Sequence, residues 1–137
     1  MVTYQSTYKR WAMALLAGAL LPLLPFEQVQ GAGVHYPLVL WRQHTGLIWW
    51  ALLLLPGLHL AWCYRRRCTP AVWPAAVCAG WLLLYALHKG SYYLPATPEA
   101  RLYTRPAVGW YAALLLAGCW AWLGWQQYRH RRQQPTA

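Results

Sequence analysis

Hydrophobic residues fall into four long runs along the 137-residue chain, and proline, glycine or charged residues bound each run. The runs cover residues 11–26, 46–64, 71–88 and 107–125. A helix rises 1.5 Å per residue, so the first run spans roughly 24 Å and the other three about 27–29 Å, against a hydrocarbon core of about 30 Å. The pattern predicts an all-α polytopic membrane protein, a small bundle of four transmembrane helices.

The composition agrees with this prediction. Hydrophobic residues make up 59% of the chain and charged residues only 10%, whereas soluble domains average about 45–50% and about 25%. Disordered chains combine low hydrophobicity with high charge, so disorder is excluded as well.

The first run has an alternative interpretation. Lys9 and Arg10 precede it, and the small residues 31–33 follow it, an order typical of a cleaved secretory signal. Cleavage would leave three helices. Pro22 and Pro25 interrupt the end of the run and residues 29–33 match a cleavage site poorly, so we expect a retained, kinked first helix.

The basic residues predict the orientation. Twelve Lys and Arg oppose two Glu, for a net charge of +10. With the N-terminus inside, eight of the twelve lie on the inner side: Lys9, Arg10, Arg65, Arg66, Arg67, Arg129, Arg131 and Arg132. The positive-inside rule therefore predicts a bacterial-type inner membrane protein with both termini, including the basic tail 126–137, in the cytoplasm.

The arginines flank apolar runs, so the expected partner is anionic lipid and not nucleic acid. We expect two groups to bind headgroups and fix the topology: Arg65, Arg66 and Arg67, and then Arg129, Arg131 and Arg132. On the outer side, residues 37–42 are predicted to form a short interfacial helix, and residues 89–106 an extended, irregular loop.

Small residues recur every fourth position in three of the helices, for example at Ala76 and Gly80 and at Ala113, Ala117 and Ala121. This spacing lets helices approach closely in lipid. It suggests a compact bundle and a larger membrane-protein partner.

Two groups of His and Cys residues are candidate metal or haem ligands. His59, Cys78 and Cys119 lie at similar predicted depths and are soft ligands suited to Zn or Cu(I), although membrane cysteines more often pack as small apolar residues. His44 and His88 lie near the outer surface, where two imidazoles can ligate haem, but the pattern favours two histidines in the interfacial aromatic belt. We expect neither a metal nor a cofactor.

Conventional enzyme chemistry has little support. The chain contains no aspartate, and Glu27 and Glu99 both fall in outer loops, which leaves no paired-carboxylate or triad arrangement. We therefore expect a non-enzymatic accessory, assembly or stabilising subunit of a larger inner-membrane complex. A component of a transport system and a small haem-binding redox protein are the alternatives.

Overall fold

The computed structural model describes residues 4–31, 34–39, 44–91 and 103–133, which form four long helices and a small sheet. The helices are α1 (Tyr4–Leu20), α2 (His44–Arg66), α3 (Trp73–Gly90) and α4 (Val108–Gln133). A 3₁₀ turn covers Leu21–Leu23, and the strands are β1 (Pro25–Gly31), β2 (Val34–Val39) and β3 (Tyr103–Pro106). The prediction of a mostly helical fold is confirmed.

The helices form a closed ring in which α1 and α3 each pack against both α2 and α4. The core between them contains three fully buried indoles, those of Trp11, Trp49 and Trp120. The rings of Trp11 and Trp120 meet edge to face, with centroids 5.6 Å apart, a favourable geometry for aromatic pairs. Small residues let α3 and α4 approach closely: a Cβ atom on Gly124 would lie 3.4 Å from that of Ala75.

Indole N–H groups hold the helices together. Trp49 and Trp50 of α2 donate hydrogen bonds to the carbonyls of Gly18 and Ala19 at the end of α1, at 2.7 and 3.0 Å. On the other side of the bundle, Trp110 of α4 donates to Ala86 of α3 at 2.9 Å. These bonds pair the carbonyl groups of one helix with the side chains of the next.

Large apolar side chains cover the outside of all four helices, among them Leu16, Leu54, Leu84 (68% exposed) and Leu115 (74% exposed). Soluble monomers rarely expose apolar surface on this scale. Two helical segments within the described residues, Gly46–Arg66 and Val108–Gln133, are long and apolar enough to cross a membrane, by length and composition only.

That result supports a membrane location, but it identifies two candidate spans and not the four that were predicted. Helix α1 has 17 residues and begins with polar side chains, and α3 ends with His88 and Lys89. Neither helix is apolar over a full crossing length.

The first and last helices have other limits than predicted. The first was placed at residues 11–26 but begins at Tyr4 and ends at Leu20, because Pro22 and Pro25 cannot continue a helix. Residues 126–133, predicted as part of a basic tail, extend α4 to Gln133. Residues 134–137 of that tail lie outside the described residues.

The two outer loops contribute an antiparallel sheet in the order β2-β1-β3. Glu27 of β1 pairs with Leu38 on one side and Pro106 on the other. The interfacial helix predicted at 37–42 is therefore wrong for 37–39, which belong to β2, and residues 40–42 lie outside the described part. The loop predicted as irregular forms β3 at 103–106, while residues 92–102 are not described. Strand pairing satisfies backbone groups that an irregular loop would leave unpaired.

Candidate functional site at the cationic end of the bundle

Four helix ends meet at one end of the bundle, which we call the cationic end. It comprises the beginnings of α1 and α3 and the last turns of α2 and α4. Arg10 donates a hydrogen bond to Gln126 at 3.1 Å, and the rings of Tyr8 and Tyr64 lie 5.5 Å apart. The cationic end holds eight exposed basic side chains: Lys9, Arg10, Arg65, Arg66, Arg67, Arg129, Arg131 and Arg132.

Aromatic faces support several of these guanidinium groups. The Arg66 guanidinium lies 5.2 Å from the ring centre of Trp62, and that of Arg132 lies 5.0 Å from Tyr128. Arg10 lies 5.5 Å from Trp122 in the same way. Aromatic rings beside arginines are typical of the membrane–water interface, and the pairs restrain the cations without neutralising them.

The turn between α2 and α3 is a complete Schellman motif. Its two backbone bonds run from Arg67 N–H to the Tyr64 carbonyl (3.3 Å) and from Cys68 N–H to the Cys63 carbonyl (3.0 Å). Arg67 has φ = 52°, a left-handed conformation that glycine adopts at lower cost. The hydroxyl of Tyr8 donates to the Cys68 carbonyl, so α1 holds this turn from the side.

His59 stabilises the same turn. Its Nε2 accepts a hydrogen bond of 2.8 Å from the backbone N–H of Ala71, just before α3, and lies 3.4 Å from Cys63 Sγ. The imidazole packs between the indoles of Trp62 and Trp73, with ring centres 6.1 and 5.7 Å away. An acceptor at Nε2 fixes the neutral ring with its proton on Nδ1. His59 therefore joins the end of α2 to the start of α3.

The structure does not gather the three weak metal candidates. Cys78 is buried in the core cluster, Cys119 is exposed on α4, and His59 lies at the cationic end. Throughout residues 4–31, 34–39, 44–91 and 103–133, no three or more His, Cys, Asp or Glu side chains lie close enough to hold a metal ion.

The two haem candidates lie at the opposite end of the bundle. His44 is the first residue of α2, and His88 is exposed in the last turn of α3. The carbonyl of His88 accepts a hydrogen bond of 2.6 Å from Ser91 Oγ. The side chain of His44 lies outside the described part of the structure.

An ion pair joins the sheet to the bundle at this opposite end, which we call the sheet end. Lys89 Nζ lies 2.7 Å from Glu27 Oε1, and Glu27 is only 7% exposed. Tyr85 completes the contact, since its ring lies 5.2 Å from Phe26 and 6.0 Å from Lys89 Nζ. Among the residues that the structure describes, Glu27 is the only one with a carboxylate side chain. In this part of the chain, therefore, the negative charge lies at the sheet end.

Sequence reasoning missed this pair because it treated Glu27 as a loop residue. A usable signal was present, however. Glu27 is one of only two acids in the chain, and Lys89 is one of the few cations predicted on the same side. An acid and a base isolated on one side of a membrane are natural partners.

Comparisons with family models, with curated proteins and with solved structures returned no match for this chain.

Proposed function

We propose that the chain crosses a bacterial-type inner membrane four times, with the cationic end in the cytoplasm and the sheet end outside. The separation of charge supports this orientation, because basic residues beside helix ends stay on the cytoplasmic side. Helices α1 and α3 cross as parts of the bundle, and their shorter apolar lengths are accommodated by local thinning of the bilayer or snorkelling of flanking residues.

Helix α1 belongs to the mature bundle in this proposal. Its Trp11 is fully buried in the core, and its last turn accepts the indole bonds of Trp49 and Trp50. Removal of residues 1–33 as a signal would take Trp11 away from Trp120 and leave the indoles of Trp49 and Trp50 without these acceptors.

Within the membrane we propose a non-catalytic role as an accessory, assembly or stabilising subunit of a larger complex. The observation behind this role is the contrast between inside and outside. Buried indoles fill the interior, and one of them, Trp49, bonds to α1, whereas large apolar side chains such as Leu84 and Leu115 project outwards from every helix. Such a bundle is suited to packing beside other membrane helices.

Photocrosslinking at native expression tests the role. Adjacent residues on α4 give a matched pair: Leu115 is 74% exposed and Leu116 is 8% exposed. A photoreactive residue at position 115 should yield a discrete adduct with a larger membrane protein, and the same residue at 116 should not. Purification of the chain alone in mild detergent, with only lipid or self-adducts from 115, would contradict the role.

A further inference from the structure

An open groove between α3 and α4 leads away from the cationic end. Its volume is about 520 Å³. Small or apolar side chains form its walls: Val72 just before α3, Ala76 and Ala79 on α3, and Trp120, Ala121, Gly124, Trp125 and Tyr128 on α4. Below the groove the two helices are in contact, since Gly124 packs against Ala75 and Val72.

The groove is short and begins at the level of the arginines. From Tyr128 to Trp120 it extends about 12 Å along the helix axis. A partner helix would need a packing surface over most of a hydrocarbon core of about 30 Å. A groove of this length instead matches the upper part of one acyl chain that enters from the headgroup region.

Aromatic and cationic side chains of α4 lie one above another at the end of the groove nearest the arginines. The rings of Trp125 and Tyr128 stack at 5.9 Å, and the Arg132 guanidinium lies 5.0 Å from the Tyr128 ring. Arg129 and Arg132 follow Trp125 and Tyr128 by four residues, so they extend the same helix face beyond the groove. The described part of the cationic end offers these guanidinium groups no carboxylate partner.

We propose that this groove is a binding site for one anionic phospholipid. One acyl chain lies between α3 and α4, Trp125 and Tyr128 pack at the glycerol level, and Arg129 and Arg132 bind the phosphate. The inference depends on the proposed membrane insertion and adds a specific lipid class and position to it.

Lipid titration of the purified full chain in a neutral detergent tests the site. Phosphatidylglycerol and phosphatidylcholine with identical acyl chains are compared by native mass spectrometry, and thermal unfolding gives a second readout. We expect one phosphatidylglycerol to bind in preference to phosphatidylcholine. Arg132→Gln should weaken that binding about fivefold, since each basic residue near an anionic surface contributes roughly one such factor.

Matched controls separate the groove from the general positive field. Arg65→Gln removes the same charge at the same end but on α2, away from the groove, and should have less effect than Arg132→Gln. Ala121→Leu fills the groove at an exposed position and should weaken phosphatidylglycerol binding, whereas Ala51→Leu on the exposed face of α2 should not. Glycerol phosphate, a headgroup without chains, should not compete.

Three results would overturn the proposal. Equal losses from Arg132→Gln and Arg65→Gln would indicate diffuse attraction, and competition by glycerol phosphate would indicate a headgroup patch without a chain site. Unchanged phosphatidylglycerol binding by Ala121→Leu would show that no acyl chain occupies the groove. If this variant also lost the photocrosslinked membrane-protein partner, the groove would be assigned to a protein helix. Failure of membrane insertion itself is distinguishable, because the chain would then stay in solution without detergent.

Discussion

Arg67 carries a positive charge at a backbone position whose conformation favours glycine. It occupies the left-handed position of the Schellman motif with φ = 52°, where glycine is the usual residue. An arginine there keeps a third guanidinium at the cationic end, beside Arg65 and Arg66. The strained backbone conformation thus occurs at a point where the proposed orientation relies on basic side chains.

Replacing this residue with glycine should stabilise the fold. We expect Arg67→Gly to raise the free energy of unfolding by about 1 kcal/mol, because a left-handed conformation costs an L-residue roughly 1–2 kcal/mol and a more flexible unfolded chain cancels part of the gain. Thermal melting of the detergent-purified protein measures the change. Arg65→Gly, in the last turn of α2, serves as the control and should lower stability by up to about 1 kcal/mol. A lower melting temperature for Arg67→Gly would contradict the strain argument.

At the residue scale, sequence reasoning located groups of side chains better than it located contacts. The arginine groups could be predicted because they flank apolar runs, and the structure places them together at one end. The bond from Ala71 N–H to His59 Nε2 was not predictable, because it depends on how the turn between α2 and α3 brings the two together. Depth alone grouped His59 with Cys78 and Cys119, and depth does not fix the direction in which a side chain points around its helix.

Among the elements, the sheet and α4 meet at an unusually close contact. A Cβ atom on Gly109, in the first turn of α4, would lie 2.8 Å from the Pro25 carbonyl oxygen and 3.1 Å from Phe26 Cα. Both neighbours are backbone atoms and cannot rotate away. Glycine at this position therefore lets β1 lie directly against the start of α4.

Gly109→Ala should push β1 off α4. We expect a loss of about 1–3 kcal/mol, the usual cost of overpacking, together with weaker burial of Glu27. Thermal melting measures the stability, and Gly118→Ala provides a control on the same helix, since a Cβ there meets nothing within 4 Å. The control should gain up to about 0.5–1 kcal/mol. Equal effects from the two substitutions would mean that the Gly109 contact is unimportant.

The helices were predictable as elements and the sheet was not. Long apolar runs and their proline boundaries identify the four helices to within several residues. The sheet has only short strands, and its pairing brings Gln28 beside Arg105, residues far apart in the chain. Such pairing leaves little periodic signal in either segment. The prolines that end α1 are visible in the sequence, but nothing in the sequence indicated that the residues after them form the strand β1.

For the molecule as a whole, the proposed orientation depends on the separation of charge between the two ends. Replacing Arg65, Arg66 and Arg67 together by Glu should allow α2 and α3 to insert in either orientation, since it removes the basic residues beside the turn that joins them. Replacement by Lys, which keeps the charge, should leave the orientation unchanged. Reporter fusions at the turn report its side of the membrane, and an unaltered cytoplasmic turn after the Glu replacements would show that these arginines are not the topological anchor.

The most direct test of the central claim, four helices embedded in a membrane, is labelling of single cysteines by a membrane-impermeant maleimide, in intact cells and in permeabilised ones. The native cysteines are first replaced by serine or alanine. The tested positions are Thr69 at the cationic end, Ser91 at the sheet end, and one exposed apolar residue on each helix: Met13, Leu54, Leu84 and Leu115. We predict that Ser91→Cys reacts in intact cells, that Thr69→Cys reacts only after permeabilisation, and that the four apolar positions stay unlabelled until detergent is added. Labelling of the apolar positions in native membranes, or reaction of Thr69→Cys and Ser91→Cys from the same side, would contradict the four-span bundle.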